Sequence, residues 1–275
     1  MRTKGRTIEE VVAKLRPIDD IFFNKLVEQK EFCQELLQVI LGMKDLKVIK
    51  IMTQKNLRNI KAKSVVLDVL CIDLENKYYN IEVQCSDNDN HQKRVRYNGS
   101  NIDTYAAEKG IDYKDLPDVS VIYISEFDMF KKGKTIYHVR RMLEETGDMV
   151  DNGFHEVYVN AKEDDKSDIA ELMKIFKSSN IPYNNKFPNI CETIKNFKEM
   201  KGRESMCKLV DEYARERELE GELRGKLEGK IEGKIEGEQN IVTVILELKK
   251  GISEEELISR GYGQSTINNA KIALG

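Results

Sequence analysis

Asp68, Glu82 and Gln84 are the side chains of this sequence whose types and spacing best suit chemistry. They fall on two stretches, residues 64–73 and 77–85, that read as the arms of a hairpin closed by the loop Leu74-Glu75-Asn76. In that register Asp68 stands opposite Glu82. Strand side chains alternate faces, so Val65, Leu67, Val69 and Cys71 share a buried face with Tyr79, Ile81, Val83 and Cys85. Asp68, Glu82 and Gln84 take the other face. Opposed residues of an antiparallel pair have Cβ atoms about 4.5–5.5 Å apart, and two carboxylates there repel unless a cation lies between them. Magnesium takes one or two carboxylates and completes its octahedron with water and phosphate oxygens at about 2.0–2.1 Å. An ion so held activates water and neutralises charge developing on a scissile phosphate. The other reading of the same acids is a pair of exposed carboxylates on a solvated face.

Such a pair needs a sheet, and the flanking pattern supplies one. From Ile18 to Leu41 apolar residues recur at helical spacing (Phe22, Leu26, Phe32, Leu36, Val39, Ile40), with Gly42 placed as a C-cap. This is one helix, or two broken near Lys30. Strand candidates follow at 47–54, 64–73 and 78–85, then a helix over 89–109 that Gly110 ends, then an apolar strand from Val119 to Ser125. The order is α-β-β-β-α-β, an α/β or α+β sandwich. Further on, Asn152-Gly153 favours a tight hairpin turn with Glu156–Asn160 as the returning strand. Asp164–Lys177 reads as an amphipathic helix, Pro182 and Pro188 punctuate a loop, and another helix lies near Thr193–Lys201.

In this order, Ile18-Asp19-Asp20-Ile21-Phe22-Phe23, Val66-Leu67-Asp68-Val69, Asn80-Ile81-Glu82-Val83-Gln84, Lys93-Arg94-Val95-Arg96-Tyr97 and Asp118-Val119-Ser120-Val121-Ile122-Tyr123 resemble the recombination-promoting nuclease and putative transposase family of the PD-(D/E)XK superfamily. The resemblance runs from about Arg16 to Met200, including Asp151-Asn152-Gly153 and Tyr158-Val159-Asn160. It implies an α/β nuclease core with a mixed sheet flanked by helices. It also implies a Mg2+-dependent DNA endonuclease with Asp68 and Glu82 as metal ligands and the Val83 carbonyl as a third. Asp20 matches the family's early acid, although Asp19 competes with it, and either suits the first turn of a helix. Gln84 stands where the superfamily usually has lysine. An amide there can orient water or bond a phosphoryl oxygen, but brings no cation to the transition state.

On the helix that follows, Arg94, Tyr97, Asn101 and Tyr105 fall at i, i+3, i+7 and i+11, on or near one face. Arg94 suits a phosphate contact, or a pairing with an acid of the sheet. Residues 47–63 carry Lys47, Lys50, Lys55, Arg58, Lys61 and Lys63 without an acid. Lys55, Arg58 and Lys61 are the expected DNA contacts of this patch, with a solvated face as the alternative. Local patches must carry any such role, because the net charge of −3 gives no global pull on nucleic acid. His91, His138 and His155 lack metal-ligand spacing and are assigned no role.

The sequence divides into an expected nuclease-like domain over 17–202, a repeat over 203–237 and a small helical unit over 238–275. Gly221, Gly225, Gly229, Gly233 and Gly237 recur every four residues beside Leu223, Leu227, Ile231 and Ile235. Either this is a helix whose apolar stripe binds a partner or a second copy, or it is a linker. Beyond it, Ser253-Glu254-Glu255-Glu256 is a capping-box pattern that opens a short helix, Gly261 ends that helix, and another begins after Ser265. The outline is that of a helix-turn-helix with few basic residues, which suits packing or partner docking. Five scattered cysteines and the lack of a long apolar run suit a cytoplasmic protein, with no membrane expected as a partner.

Overall fold

The computed structural model describes residues 7–57, 64–87, 90–107 and 111–274, without the side chains of 200–203, 216–225, 227, 229–233 and 235. Six strands of the described residues form one mixed sheet: β1 (Val48–Leu57), β2 (Val65–Asp73), β3 (Tyr78–Gln84), β4 (Val119–Ser125), β5 (Ile136–Val139) and β8 (Phe154–Asn160). Their spatial order is β1-β2-β3-β4-β8-β5. The first three are antiparallel neighbours, β3, β4 and β8 run parallel, and β5 returns antiparallel on β8. The expected α-β-β-β-α-β order is present.

The segment from Ile18 to Leu41 forms two helices, α2 (Asp20–Leu26) and α3 (Lys30–Leu41), with Gly42 in the left-handed cap at φ 68°. Together with α1 (Ile8–Lys14), α5 (Asp168–Phe176) and α6 (Pro188–Lys198) they contribute to one apolar core. Phe22, Phe23, Phe32 and Phe176 lie there beside Val69, Cys71, Tyr79, Ile81 and Val83 of the hairpin. Each such side chain contributes roughly 1.5–3 kcal/mol by leaving water. On the other face α4 (His91–Ala106) covers a second core, setting Val95 and Ile102 against Leu70, Val121 and Tyr123. Both faces of the hairpin are therefore buried, and the site acids face protein instead of a solvated surface.

Besides Pro188, which opens α6 instead of lying in a loop, and the final helix, which begins at Gln264 and not after Ser265, two further details differ from the sequence expectation. Val65 and Leu67 belong to the second core, whereas Val69 and Cys71 belong to the first. Unbroken alternation would keep all four together. The pleat is interrupted between Leu67 and Val69, where the β1–β2 ladder lacks a Gln54–Asp68 pair and Gln54 has φ 47°. Secondly, Asn152-Gly153 makes its turn, with Gly153 at φ 78°, but does not join the two arms of a hairpin. The strand before it, β7 (Met149–Val150), pairs with β6 (Arg141–Met142), while β8 enters the main sheet between β4 and β5. A turn sequence fixes the bend, whereas the strand's neighbours follow from where its apolar residues bury.

The chain divides into two compact units, Met1–Asp211 and Glu212–Gly275. The long helix α7 (Met200–Lys249) belongs to the first through Met206 and Val210. In the second unit its final turns pack Val244 with Leu257 of α8 (Glu254–Ser259) and with Ile267 and Ala270 of α9 (Gln264–Leu274). Ser253 caps α8 by accepting the Glu256 N–H at 3.3 Å, and Gly261 follows at φ 95°. The stripe Leu223, Leu227, Ile231 and Ile235 lies outside the described side chains.

Candidate metal centre

The paired ladder of β2 and β3 ends at Val69 and Ile81, one residue short of Asp68 and Glu82. Carboxylates replace the missing ladder bonds. The Asp68 amide donates to Glu82 Oε1 at 3.2 Å, and the Val83 amide donates to Asp68 Oδ2 at 3.1 Å. Each acid is thereby locked to the opposite strand's backbone. Asn80 adds a second donor to Glu82 Oε1 at 2.9 Å, and its Nδ2 also reaches the Val69 carbonyl at 3.1 Å.

Arg94, on the second turn of α4, reaches back over the strand. It donates to Glu82 Oε2 at 3.0 Å and to Gln84 Oε1 at 3.2 Å. The Gln84 amide nitrogen is turned away, bonding the Ser86 carbonyl at 3.0 Å and Ser86 Oγ at 3.1 Å. Of the two readings of Arg94, the pairing with an acid of the sheet is the one present, and that acid is the candidate ligand Glu82.

Burial raises the Asp68 carboxyl well above the ordinary carboxylate range, and the charges of Glu82 and Asp20 push it further against the pull of the Val83 amide. Burial also raises Glu82, with Arg94 as the largest opposing influence. Asp20 occupies the first position of α2, near enough for its charge to be felt at Asp68. Asp19 is committed elsewhere. Its carboxylate takes Arg16 at 2.6 Å, and the same guanidinium holds Glu126 at 2.5 Å, which ties the entry of α2 to the end of β4. Cys85 is exposed instead of sharing the hairpin's buried face, because it lies past the end of β3; it donates to the Ile18 carbonyl at 3.3 Å, and partial desolvation with the charges of Glu126 and Asp19 pushes its thiol up to about 12.

Among the described residues no three His, Cys, Asp or Glu side chains gather as a ready metal cage. The donor set still fits magnesium, which needs no all-protein cage and binds through one or two carboxylates plus water and phosphate oxygens. Two buried, mutually repelling acids short of positive charge are the fitting feature. The Val83 amide occupies Asp68 Oδ2, which sets the Val83 backbone beside the Asp68 carboxylate.

A groove of about 550 Å³ opens beside Arg94, between Ser64–Val66 and α4, with Lys93, Arg96 and Tyr97 on its wall and no acid among the described residues that line it. Lys55 of β1 is not part of this lining. Lys55 rests its ammonium 4.7 Å above the Tyr105 ring, while Arg58 and Lys61 lie outside the described residues. Sequence reasoning passed over Asn80, which looks like a solvent-facing strand residue, and His91, which is buried and shares a 2.7 Å hydrogen bond with Tyr123. Tyr123 is the register partner of Glu82 across β3 and β4. The Asn80-x-Glu82 spacing was the available signal for the first, since i and i+2 share a strand face.

No curated protein and no solved structure gives a significant match to this chain. The profile of a family described as PD-(D/E)XK nuclease family transposase matches residues 17–217, which include the sheet, α4 and both site acids. Nucleases of this superfamily typically use divalent metals. With the match extending over most of the sequence, the chain belongs to the PD-(D/E)XK nuclease family transposases.

Proposed function

We propose that this protein is a Mg2+-dependent DNA endonuclease that hydrolyses phosphodiester bonds in support of recombination or a mobile element. The observation that carries the reading is the reciprocal locking of Asp68 and Glu82, each to the other strand's backbone, beside a groove whose charged residues, among those described, are basic. Asp68, Glu82 and the Val83 carbonyl would hold the ion, with Asp20 adding negative charge nearby. A bound magnesium ion supplies Lewis acidity to water and to the scissile phosphate. The chain's own residues do the rest. Asn80 and the Asp68 amide fix the Glu82 carboxylate, Gln84 fixes Arg94, and Lys93, Arg94 and Arg96 offer charge to phosphates. Lys55, Arg58 and Lys61 would add further contacts to the nucleic acid.

A plasmid-nicking assay tests the reading. Cleavage with magnesium, loss with chelator and a drop of at least 10²-fold in Asp68→Ala and Glu82→Ala are expected, because each variant removes one ligand of the same ion. Equal nicking by wild type and both variants overturns it. A second reading, a binding or assembly protein on an inactive nuclease scaffold, draws on Glu82 having donors on both oxygens already. Nucleic-acid binding without metal-stimulated cleavage favours it, and a ribonucleotide substrate in the same assay separates an RNase from a DNase. Cytoplasmic residence completes the proposal, in keeping with five free cysteines.

A further inference from the structure

The Glu82 side chain has no exposed surface, and three groups hold it: the Asp68 amide, Asn80 and Arg94. The first is main chain of the sheet, and the second is a buried side chain also held by the Val69 carbonyl. Arg94 differs. It comes from α4, keeps 37% of its side chain exposed, and lines the groove. A guanidinium is never deprotonated in a protein, so it is a permanent cation beside Glu82 at any working pH. Its second partner is the uncharged Gln84 amide, so its charge is directed at Glu82 alone of the two.

We propose that Arg94 is a built-in competitor of the divalent ion: it is the resident counterion of Glu82, and metal loads the site by taking that carboxylate from it. The proposal rests on reading Asp68 and Glu82 as the metal-binding pair. Two cations drawn to one buried carboxylate repel each other, so Arg94 lowers metal affinity while it stays. A guanidinium that leaves Glu82 is still tethered to α4 on the groove wall, beside Lys93 and Arg96. Phosphate there gives it an alternative anion. Nucleic acid thus draws Arg94 out of the metal's path, metal releases Arg94 to the phosphate, and by linkage each raises the other's affinity by the same factor. The site stays neutralised by its own chain until a phosphate backbone arrives.

Calorimetric titration with Mn2+ of the full chain tests this, using wild type, Arg94→Lys, Arg94→Gln and Glu82→Gln, with and without a short DNA duplex in chelator-treated buffer. Arg94→Gln should bind Mn2+ on the order of tenfold more tightly than wild type. Arg94→Lys should fall between them, since a hydrated ammonium cannot bridge Glu82 and Gln84 as the fork does. DNA should tighten Mn2+ binding to wild type by a larger factor than to Arg94→Gln, where only ligation by the phosphate oxygens themselves remains, and equal factors in the two overturn the competition. Unchanged or weaker Mn2+ binding by Arg94→Gln, with binding still lost in Glu82→Gln, overturns the competition and spares the metal-centre reading. Wild-type Mn2+ affinity in Glu82→Gln overturns both. If Arg94→Gln does not fold, the lysine variant decides alone: affinity no tighter than wild type overturns the proposal.

Discussion

The Asp68 carboxyl sits where two costs meet, loss of water and a second acid directly opposite. A raised folded pKa means that the native state holds the proton more tightly than the unfolded chain. Below the unfolded value of about 3.9 both states are protonated and the group is without effect. As pH rises above that value and through the folded pKa, the unfolded chain ionises freely while the native state must hold the proton or bury the charge. Stability is lost over that window. Asp68→Asn should therefore raise the thermal midpoint of the metal-free protein by several degrees at pH 8 and by little at pH 4. Midpoints that shift equally at both pH values would show that charge is not the cause. The same residue marks where reading a strand by alternation stops working. Asp68 and Glu82 were correctly opposed from sequence, yet Leu67 was assigned to Val69's face because alternation assumes a continuous pleat. Gln54 at φ 47° lies on another strand, and nothing in residues 64–73 announces it.

Helices and strands were more legible than their neighbours. Periodicity located α2, α3, α4 and β4, and Gly42 ended α3 as a left-handed cap should. Periodicity cannot report which ring lies under which helix. At Gly99, α4 approaches β8 so closely that an added Cβ would lie 2.2 Å from the Phe154 ring. That contact sets the height of the helix whose second turn carries Arg94. Gly99→Ala should cost roughly 1–3 kcal/mol by overpacking, lowering the urea midpoint together with any nicking activity. Adding Phe154→Leu should restore part of both, because the two changes share one contact. Simple additivity in the double-mutant cycle would show that the contact does not seat α4. The misread turn at Asn152-Gly153 belongs to this scale as well. Its dipeptide encodes a bend, and β8 takes β4 and β5 as neighbours because Val157 and Val159 find their burial there.

Across the whole chain, length left room for a second, smaller unit, and the sequence pattern ended the first at residue 202. Met206 and Val210 lie beyond residue 202 and are buried in the nuclease core. A protein ending at residue 202 should lose roughly 1.5–3 kcal/mol for each of these side chains relative to one ending at 217. Urea unfolding of the two would measure it, and equal midpoints would return the boundary to 202. The glycine repeat within α7 carries its own demand, since five interior glycines cost on the order of 5 kcal/mol relative to alanine. Sedimentation of the full chain against the 1–217 form should show association confined to the longer protein, and matching monomer masses would leave the repeat as a linker. Among the described residues no helix is long and apolar enough to cross a membrane. The pairing at the site has one more effect, on isotope exchange. Main-chain ladder amides of the sheet are shielded from solvent deuterium by a carbonyl, but those of Asp68 and Val83 are shielded by carboxylates. Their exchange is thereby tied to the charge state of the site, so a deuterium map of the molecule would carry an imprint of which cation holds those acids.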